Sequence, residues 1–403
     1  MTKKKLKIAI FHLAFLYSGG GEKLVLQEIS ELEKRGHDVT CFTPTLDAKS
    51  CYPDIIGKYK IKPIFPGFRK LFRNHESFEI FATCLFFPFI AKRFKNYDIT
   101  IGANQPGPWL SYLVKKITGV PYIVYLAQPT RLVYPRKIDK ECEVWLRQKS
   151  YFLPFVSFFG KKFIWLADKV SIENASNILV NGKYIGTVLE KIYGKKVVIC
   201  PAGADIIERS GNYRIREKND PYILVTNRHF PQKKFEYGIR AMPLVLKKIP
   251  NAKLIISGNF TEYSKRLITL VDSIGLSDSV VFTGYLDEKK MKSLYSGASV
   301  YVYTSPEEDF GMGVIEAMAA RVPVVAWNKA GPSKTIINGK TGFLIEPYNE
   351  REYAAKLIWL LLNKKQNIRM GENARAHVYK NFTLKNHIDI LENSLIKTIK
   401  KNK

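Results

Sequence analysis

The stretch from Tyr301 to Trp327 reads YVYTSPEEDFGMGVIEAMAARVPVVAW and decides the fold class. Its two ends, YVY and VPVVAW, are apolar and predict two buried strands. Between them, the run VIEAMA predicts a helix that starts after two glycines. A strand, a helix and a second strand in this order form a βαβ unit, in which the two strands lie parallel in one sheet.

Two carboxylates of this stretch, Glu308 and Glu316, lie eight residues apart. The spacing places Glu308 at the end of the first strand and Glu316 on the first turns of the helix. Backbone N–H groups at the start of a helix favour an anionic ligand, and Gly311 and Gly313 allow the backbone to approach one closely. Because ligands of open α/β sheets bind at the carboxyl ends of the strands, we predict a ligand site here.

The same alternation of apolar strands and amphipathic helices extends outward over the chain. It predicts an α/β protein with parallel sheets that are covered by helices on both faces. One series begins with IAIFHL and a second with YILVTN, after the polar stretch GNYRIREKNDP. We therefore expect two Rossmann-like domains, residues 1–202 and 203–380, that face each other across a cleft. Residues 381–403 are expected to form a C-terminal helix that packs back towards the first domain.

The N-terminus, MTKKKLKIAIFHLAFLY, is basic and then apolar, as a secretion signal is. We interpret it as the first buried strand, Lys7 to Phe11, because an amphipathic helix and a second strand follow the glycines after it. No apolar run of the sequence reaches the roughly 20 residues of a membrane-spanning helix.

The composition is that of a globular protein with a large excess of basic residues. Of the 403 residues 46% are hydrophobic, and 64 Lys and Arg against 36 Asp and Glu give a net charge of +28. These values exclude a disordered or collagen-like chain and predict an anionic partner: nucleic acid, an acidic membrane surface or a phosphorylated small molecule. The five cysteines are scattered without a CxxC pair, which argues against a zinc site and favours a reducing cytoplasm.

Four elements, in order along the chain, resemble the GT-B-fold retaining glycosyltransferases of family GT4, the mannosyl- and glucosyltransferases. They are GGGE with RGHDV, CPAGAD, NRHFPQKKF, and PEEDFGMGVIEAMA, which matches the E-x7-E signature of that family. The resemblance implies a GT-B architecture that holds a nucleotide sugar mainly in the second domain. It also implies a hexosyltransferase, with mannose as one candidate sugar, that retains the anomeric configuration and needs no cofactor or metal ion.

Carried over residue by residue, the resemblance implies a catalytic group of three side chains. Arg228 and Lys233 would bind the donor diphosphate, with Lys234 as the alternative to Lys233. Fixed cations at this place would stabilise the departing negative charge of the leaving group. Glu308 would orient the donor sugar or stabilise positive charge at the anomeric carbon.

Further residues are implied to bind the donor. Glu316 would accept hydrogen bonds from the two ribose hydroxyls. The backbone amides of the acidic loop and of the N-terminal glycine loop would surround the sugar and the diphosphate; these residues are Phe310, Gly311, Met312, Gly313, Gly20 and Gly21. No D-x-D motif is present, and Glu307 with Asp309 is the nearest imitation of a metal site, so we expect no metal.

The sequence indicates the acceptor-binding residues less clearly than the donor-binding ones. YLAQPTRLVYP resembles the segment Y-x-H-T-P-x-R of the family, in which Arg131 would face an acceptor phosphate. Ala127 stands where that segment has a histidine near the transferred sugar. His12 ends the first strand and points towards the cleft, where a structural role fits as well as an acceptor-side role. Arg321 and Lys334 replace a glycine and a glutamate of the family.

Two stretches of the first domain combine aromatic and basic residues. SFEIFATCLFFPFIAKRFK ends with Lys92, Arg93 and Lys95, and YFLPFVSFFGKKFIW contains Lys161 and Lys162. This combination is typical of binding to an anionic membrane surface, and the alternative is a pair of core helices with basic ends. The expected partners are a nucleotide sugar such as a GDP- or UDP-hexose, a glycan or polyprenyl-linked acceptor and an anionic membrane surface. The expected location is cytoplasmic, peripheral at the inner face of the membrane.

Two other functions stay open at this stage. One is a catalytically decayed GT-B protein that binds nucleic acid or an anionic surface, which the departures at Ala127, Arg321 and Lys334 suggest. The sequence has no RNP-like or KH-type motif, so we expect no nucleic-acid partner. The other is a nucleotide-sugar epimerase, which shares the fold.

Overall fold

The structure is a computed structural model of the chain, and it describes residues 5–142, 160–205 and 220–402. The chain divides into two compact units, each built around its own parallel sheet. The described parts of the first unit are residues 5–135, 160–202 and 385–402, and those of the second are residues 136–142, 203–205 and 220–384. The short segment 136–142 therefore joins the second unit, although it lies within the range assigned from the sequence to the first domain.

The first unit contains a seven-stranded parallel sheet in the order β5-β3-β1-β6-β7-β8-β9, and β2 and β4 pair separately. Its described strands are β1 (Lys7–His12), β2 (Ala14–Phe15), β3 (Asp38–Thr43), β4 (Thr45–Leu46), β5 (Ile61–Pro63), β6 (Ile99–Ala103), β7 (Tyr122–Leu126), β8 (Ile178–Val180) and β9 (Val198–Ile199). The central strands are buried along nearly their whole length, as strands covered on both faces must be.

The second unit contains a six-stranded parallel sheet in the order β12-β11-β10-β13-β14-β15. Its described strands are β10 (Tyr222–Thr226), β11 (Lys253–Ser257), β12 (Val280–Gly284), β13 (Val300–Tyr303), β14 (Val324–Trp327) and β15 (Gly342–Ile345). The strand order reverses between β10 and β13, which pair in parallel. A reversal of this kind opens a crevice at the carboxyl ends of the two strands, where ligands of such sheets bind. The predicted α/β class with two parallel-sheet units is confirmed.

Most of the described helices lie between strands in sequence, as the alternation predicted, and the last three follow the final strand. The described α-helices are α1 (Gly20–Lys34), α2 (Phe68–Leu71), α3 (Glu76–Ile90), α4 (Gly107–Thr118), α5 (Lys137–Glu141), α6 (Lys161–Glu173), α7 (Lys183–Tyr193), α8 (Phe235–Leu246), α9 (Glu262–Ser273), α10 (Glu288–Gly297), α11 (Met312–Ala319), α12 (Pro332–Thr335), α13 (Glu350–Leu362), α14 (Lys364–Asn381) and α15 (Leu384–Lys401). In the part of the chain that the structure describes, none of the helices is long and apolar enough to cross a membrane.

Helix α1 shows how the sequence sets the bounds of an element. Its apolar side chains recur on one face and are buried against the sheet; they are Leu24, Val25, Leu26, Ile29 and Leu32. The helix stops at Gly36, whose φ of +91° is left-handed and costs glycine little. The N–H groups of Gly36 and His37 donate to the carbonyl oxygens of Glu33 and Leu32, at 2.9 and 3.1 Å. This pair of hydrogen bonds is the Schellman motif, which ends the helix and aims the chain into β3.

A buried ion pair attaches α15 to α1. His387 Nε2 lies 3.0 Å from Glu28 Oε1, and His387 Nδ1 lies 2.9 Å from the carbonyl oxygen of Pro201. A neutral imidazole donates from only one nitrogen, so these two acceptors together require the imidazolium form. Burial alone lowers the pKa of His387, but the contacts with Cys200 and Glu28 outweigh it and raise that pKa to about 10.

A second polar cluster holds the next turns of α15. Arg35 donates to Asp389 at 2.7 Å and to Glu392 at 2.6 Å. The backbone N–H of Leu6 donates to His37 Nδ1 at 3.2 Å, which leaves the proton of a neutral His37 on Nε2. That nitrogen lies 3.2 Å from Glu392 and donates to it. The last helix is therefore fixed to the first unit through charged contacts as well as through its buried apolar face.

Candidate active site

The candidate site of the second unit is built where β10 and β13 end side by side. Thr226, Asn227 and Arg228 end β10 and begin the following loop. Tyr303 ends β13, and the acidic loop 304–311 leads from it into α11. Because the two strands are parallel neighbours, the side chains at their carboxyl ends converge on the same edge of the sheet.

Glu308 and Lys233 meet at this edge. Glu308 Oε2 accepts hydrogen bonds from Lys233 Nζ at 2.5 Å and from the Tyr303 hydroxyl at 2.7 Å. The Tyr303 hydroxyl in turn accepts from Asn227 Nδ2 at 3.2 Å. Burial and the nearby Glu308 charge raise the pKa of Tyr303, so its hydroxyl stays a donor at neutral pH. The Lys233 and Glu308 side chains keep 19% and 21% of their surface exposed, which leaves the pair within reach of a ligand.

Glu316 belongs to a separate chain of hydroxyl groups. Its Oε2 accepts from the Tyr295 hydroxyl at 2.9 Å. Tyr295 has only one proton to donate, so it accepts from the Thr226 hydroxyl at 2.7 Å, and Thr226 accepts from Tyr301 at 2.9 Å. Burial raises the pKa of both tyrosines. The Glu316 carboxylate is thereby fixed on the first turns of α11.

Gly311, which ends the acidic loop, and Gly313, in the first turn of α11, have different roles. Gly311 has a left-handed φ of +89° and turns the chain into α11. Gly313 lies against the Tyr301 hydroxyl, so closely that a methyl group at this position would overlap the hydroxyl oxygen. Phe310 is buried and packs edge-on against Phe382, with ring centroids 5.8 Å apart. Met312 is half-buried in the first turn of the helix.

Arg228 is the second residue after β10, and its guanidinium carbon lies 5.4 Å from the centroid of the Phe230 ring. The predicted alternative to Lys233, Lys234, has a left-handed φ of +54° and begins α8. The structure thus brings Lys233 and Glu308 into contact, while Arg228, in the loop after β10, and Glu316, on α11, have other direct partners.

Glu307 and Asp309, the acidic residues beside Glu308, accept hydrogen bonds from other parts of the protein. Arg136 donates to the carbonyl oxygen of Glu307 and to the carboxylate of Asp309. The backbone N–H of Ile138 donates to Glu307 Oε2 at 2.9 Å. Over residues 5–142, 160–205 and 220–402, no three His, Cys, Asp or Glu side chains come together as metal ligands. The expectation that no metal is bound stays a prediction.

The remaining predicted site residues lie in the first unit. His12 ends β1 and is only 3% exposed; burial lowers its pKa to about 4, so it is neutral at neutral pH. Gly20 and Gly21 were expected in a loop, but they form the first turn of α1. The N–H groups of a first helical turn have no partners inside the helix and can bind an anion. The expected contact of these two glycines with the donor stays a prediction. Arg131 is half-buried in the loop after β7.

The three departures from the family pattern have ordinary local partners or are exposed. The N–H of Ala127 donates to Asn104 Oδ1 at 3.0 Å. Arg321, just after α11, has a left-handed φ of +61° and pairs with Glu372 at 2.9 Å. Lys334 is exposed in α12.

The first aromatic stretch is partly core and partly surface. Phe87 is fully buried, whereas Phe89 is 82% exposed. We define the α3 surface as the exposed apolar side chains of that helix, Phe81, Leu85, Phe86 and Phe89. Lys92, Arg93 and Lys95 follow it and are exposed. Residues 151–159 of the second stretch lie outside the described residues; after them, Lys161, Lys162 and Phe163 are exposed.

Sequence reasoning missed several residues of this site, namely Thr226, Asn227, Tyr295, Tyr301, Tyr303 and Arg136. Tyr301 and Tyr303 are two apart in a strand, a spacing that places them on one face and could have been noticed. Arg136 has no local signal, because its contacts in the acidic loop are more than 170 residues away.

Comparisons with known proteins agree with this geometry. The profile of the family described as "Glycosyltransferase Family 4" matches residues 18–208, and that of "Glycosyl transferases group 1" matches residues 211–377. The alpha-1,3/1,6-mannosyltransferase ALG2 of Rhizomucor pusillus is 23% identical over 98% of this chain and 92% of its own. The GDP-Man:Man(3)GlcNAc(2)-PP-Dol alpha-1,2-mannosyltransferase of Dictyostelium discoideum is 29% identical over 49% of this chain and 43% of its own. Anabaena HepE, solved with UDP and glucose, superposes with a TM-score of 0.76 at 17% identity, over 97% of this chain and 100% of its own.

The fold and the matched profiles define an enzyme, a glycosyltransferase with the GT-B fold. The chain belongs to the GT4-like glycosyltransferases, the family that the E-x7-E stretch indicated.

Proposed function

We propose that the chain is a retaining hexosyltransferase that uses a nucleotide diphosphate sugar as donor, without a bound metal ion or cofactor. The observation that carries the proposal is the contact between Lys233 and Glu308 at the strand ends of the second unit. The name of the Rhizomucor relative favours mannose as the transferred sugar, and the HepE complex with UDP favours a nucleotide-linked donor.

The cations of this edge suit the leaving group. An ammonium group has three N–H donors and can contact Glu308 and a phosphate oxygen together. Lys233 and Arg228 would therefore supply the positive charge that other enzymes take from a metal ion when a diphosphate departs. Glu308, which accepts hydrogen bonds from two fixed donors, has one defined orientation. It would orient the donor sugar or stabilise positive charge at the anomeric carbon.

The carboxylate of Glu316 suits the nucleoside end of the donor. It is held by Tyr295, and an ionised carboxylate accepts from two neighbouring hydroxyls such as those of ribose. The backbone of Phe310, Gly311, Met312 and Gly313 would surround the sugar and the phosphates. In the first unit, Gly20 and Gly21 would face the diphosphate, and Arg131 and His12 would lie on the acceptor side.

Paired variants test this assignment. Glu316→Ala should weaken nucleotide binding, whereas Glu308→Ala should chiefly lower kcat. A ligand at 100 times its Kd stabilises the folded state by about 2.7 kcal/mol, so GDP or UDP should raise the Tm of wild type clearly. Glu316→Ala should lose most of that shift. Glu262→Ala is the matched control, because the Glu262 side chain is 87% exposed. Unchanged transfer and unchanged Tm shifts in both site variants would show that the assignment is wrong.

The reaction itself needs a separate measurement. Transfer from GDP-mannose, UDP-glucose and related donors should survive excess EDTA, and NMR of the product should show the anomeric configuration of the donor. Activity that EDTA abolishes and magnesium restores would contradict the metal-free mechanism. A product of inverted configuration would contradict retention.

We also propose that the acceptor is a lipid-linked glycan reached at the cytoplasmic membrane face, where the enzyme binds peripherally. The name of the Dictyostelium relative includes a dolichyl diphosphate-linked glycan, and the α3 surface is apolar with cations beside it. Each Lys or Arg near an anionic bilayer contributes about 1 kcal/mol, a contribution that salt screens. Burial of a Phe side chain contributes about 1.5–3 kcal/mol, which salt does not screen.

Vesicle sedimentation separates the two contributions. Replacing Lys92, Arg93 and Lys95 by Ala removes three cations that contribute about 1 kcal/mol each. Binding to anionic vesicles at low salt should therefore weaken by up to about 100-fold. Phe89→Ser should reduce the binding that persists at high salt. Phe260→Ser is the control, since that ring is 55% exposed in the second unit. Equal binding of wild type and both α3-surface variants would exclude this surface as the membrane contact.

A further inference from the structure

The backbone on either side of Glu308 is fixed by a segment from the first half of the sequence. Arg136 donates from one nitrogen to the carbonyl oxygen of Glu307 and from the other to the carboxylate of Asp309. The side chains of Arg136 and Asp309 are only 9% and 7% exposed. The guanidinium group therefore joins the two neighbours of Glu308 in a nearly buried contact, in which water competes little.

Two more hydrogen bonds complete this arrangement. The N–H of Ile138 donates to Glu307 Oε2 at 2.9 Å. The N–H of Gly331 donates to the carbonyl oxygen of Glu308 itself at 2.7 Å. With Glu307, Glu308 and Asp309 each held, the Glu308 side chain is directed to Lys233 and Tyr303.

The chemistry of the contact favours orientation over stability. A buried ion pair gives little more stability than apolar side chains of the same volume, because both charges lose their water. The planar guanidinium does, however, contact two acceptors in fixed directions, which a lysine or an apolar side chain does not. The pair also lies directly beside Glu308, which contacts Lys233.

We propose that Arg136 is a positioning residue, which holds the acidic loop so that Glu308 faces the donor sugar. The inference rests on the proposed function of Glu308. A small displacement of a reacting group costs on the order of 100-fold in rate, so Arg136→Ala should lower kcat by roughly 10- to 100-fold. The donor KM and the Kd of the nucleoside diphosphate should change less than about threefold, because Glu316 is held by Tyr295 and Arg228 lies against Phe230.

The test compares Arg136→Ala with Arg35→Ala, which also removes a guanidinium from a nearly buried carboxylate, that of Glu392 in the first unit. Arg35→Ala should lower the Tm and leave kcat at a permissive temperature near wild type. Millimolar guanidinium ion should restore part of the kcat of Arg136→Ala, since it can occupy the vacated space, and should not affect Arg35→Ala. Arg136→Lys should keep the charge but recover only part of kcat, because it lacks the planar fork.

Each outcome has a defined meaning. A wild-type kcat in Arg136→Ala would overturn the inference, as would a loss of nucleotide binding as large as the loss in kcat. If Arg136→Ala does not fold, Asp309→Asn and Arg136→Lys carry the test, and both should lower kcat with little change in KM. A wild-type enzyme that binds nucleotide but transfers no sugar from any donor would instead contradict the proposed function.

Discussion

The close approach of Gly313 to Tyr301 makes a prediction about a pair of substitutions. A methyl group at position 313 would overlap the Tyr301 hydroxyl oxygen and lie 3.0 Å from Thr226 Oγ1. Tyr301 is fully buried, so its ring cannot shift into solvent to make room for the methyl group. Gly313→Ala should therefore destabilise the second unit, although the same change in an open helix would stabilise it.

The size of the effect follows from competing contributions. Overpacking a buried site costs about 1–3 kcal/mol, and Ala in place of Gly in a helix returns about 0.5–1 kcal/mol. The free energy of unfolding should fall by about 1–2 kcal/mol. Tyr301→Phe removes the hydrogen bond to Thr226 and should cost about 1 kcal/mol. In the double variant the nearest ring carbon is 3.1 Å from the new methyl, so the total cost should be only about 1 kcal/mol.

Chemical denaturation of the wild type, both single variants and the double variant measures this coupling. Calorimetry with the nucleoside diphosphate adds a functional readout, because Tyr301 connects through Thr226 and Tyr295 to Glu316. Gly313→Ala should weaken binding more than Tyr301→Phe does. A double variant whose cost equals the sum of the two single costs would refute the steric argument.

Two further predictions concern stability. The pKa of His387 is raised from 6.5 to about 10 by Glu28 and Cys200, so its stabilising contribution is complete below pH 6.5 and is lost as pH rises towards 10. The loss should approach about 1.4 kcal/mol per pH unit in denaturation experiments and should be absent from His387→Gln; equal pH slopes in the two proteins would contradict it. Arg321→Gly should be more stable than Arg321→Ala by about 1 kcal/mol, because both lose the ion pair with Glu372 and only glycine relieves the left-handed backbone. Thermal unfolding of the two variants checks this, and equal Tm values would exclude backbone strain at Arg321.

The fold was predictable because its signal is repeated along the chain. Apolar strands alternate with amphipathic helices over both units, and each repetition supports the others. Glu308 and Glu316 could be found for the same reason, since both lie within one βαβ unit. Apart from Lys233, the side chains around these two residues were harder to find. Thr226 and Asn227, which contact Tyr295 and Tyr303, lie at the end of β10, which only the strand order of the sheet brings beside β13.

Three features could not be predicted from the local sequence. Helix α3 is apolar on both faces, so periodicity does not separate buried Phe87 from exposed Phe89. Arg136 stands in a polar stretch without distinctive spacing, and its role depends on a chain path that leaves one unit for the other. The predicted contact of Gly313 with a ligand stays a prediction, and its close approach to the Tyr301 hydroxyl has no signal in the local sequence.

The ion pair between Glu28 and His387 also has a consequence for synthesis on the ribosome. Its two residues are 359 positions apart. At about 5–20 residues per second, roughly 20–70 s pass between the translation of Glu28 and that of His387. During that interval the site that α15 will occupy on α1 presents the Glu28 carboxylate among apolar side chains, and His387, which pairs with it in the folded protein, is not yet translated. The first unit to be translated is thus the last to be completed, because a chain that ends before α15 contains the whole second sheet but lacks the last helix of the first unit.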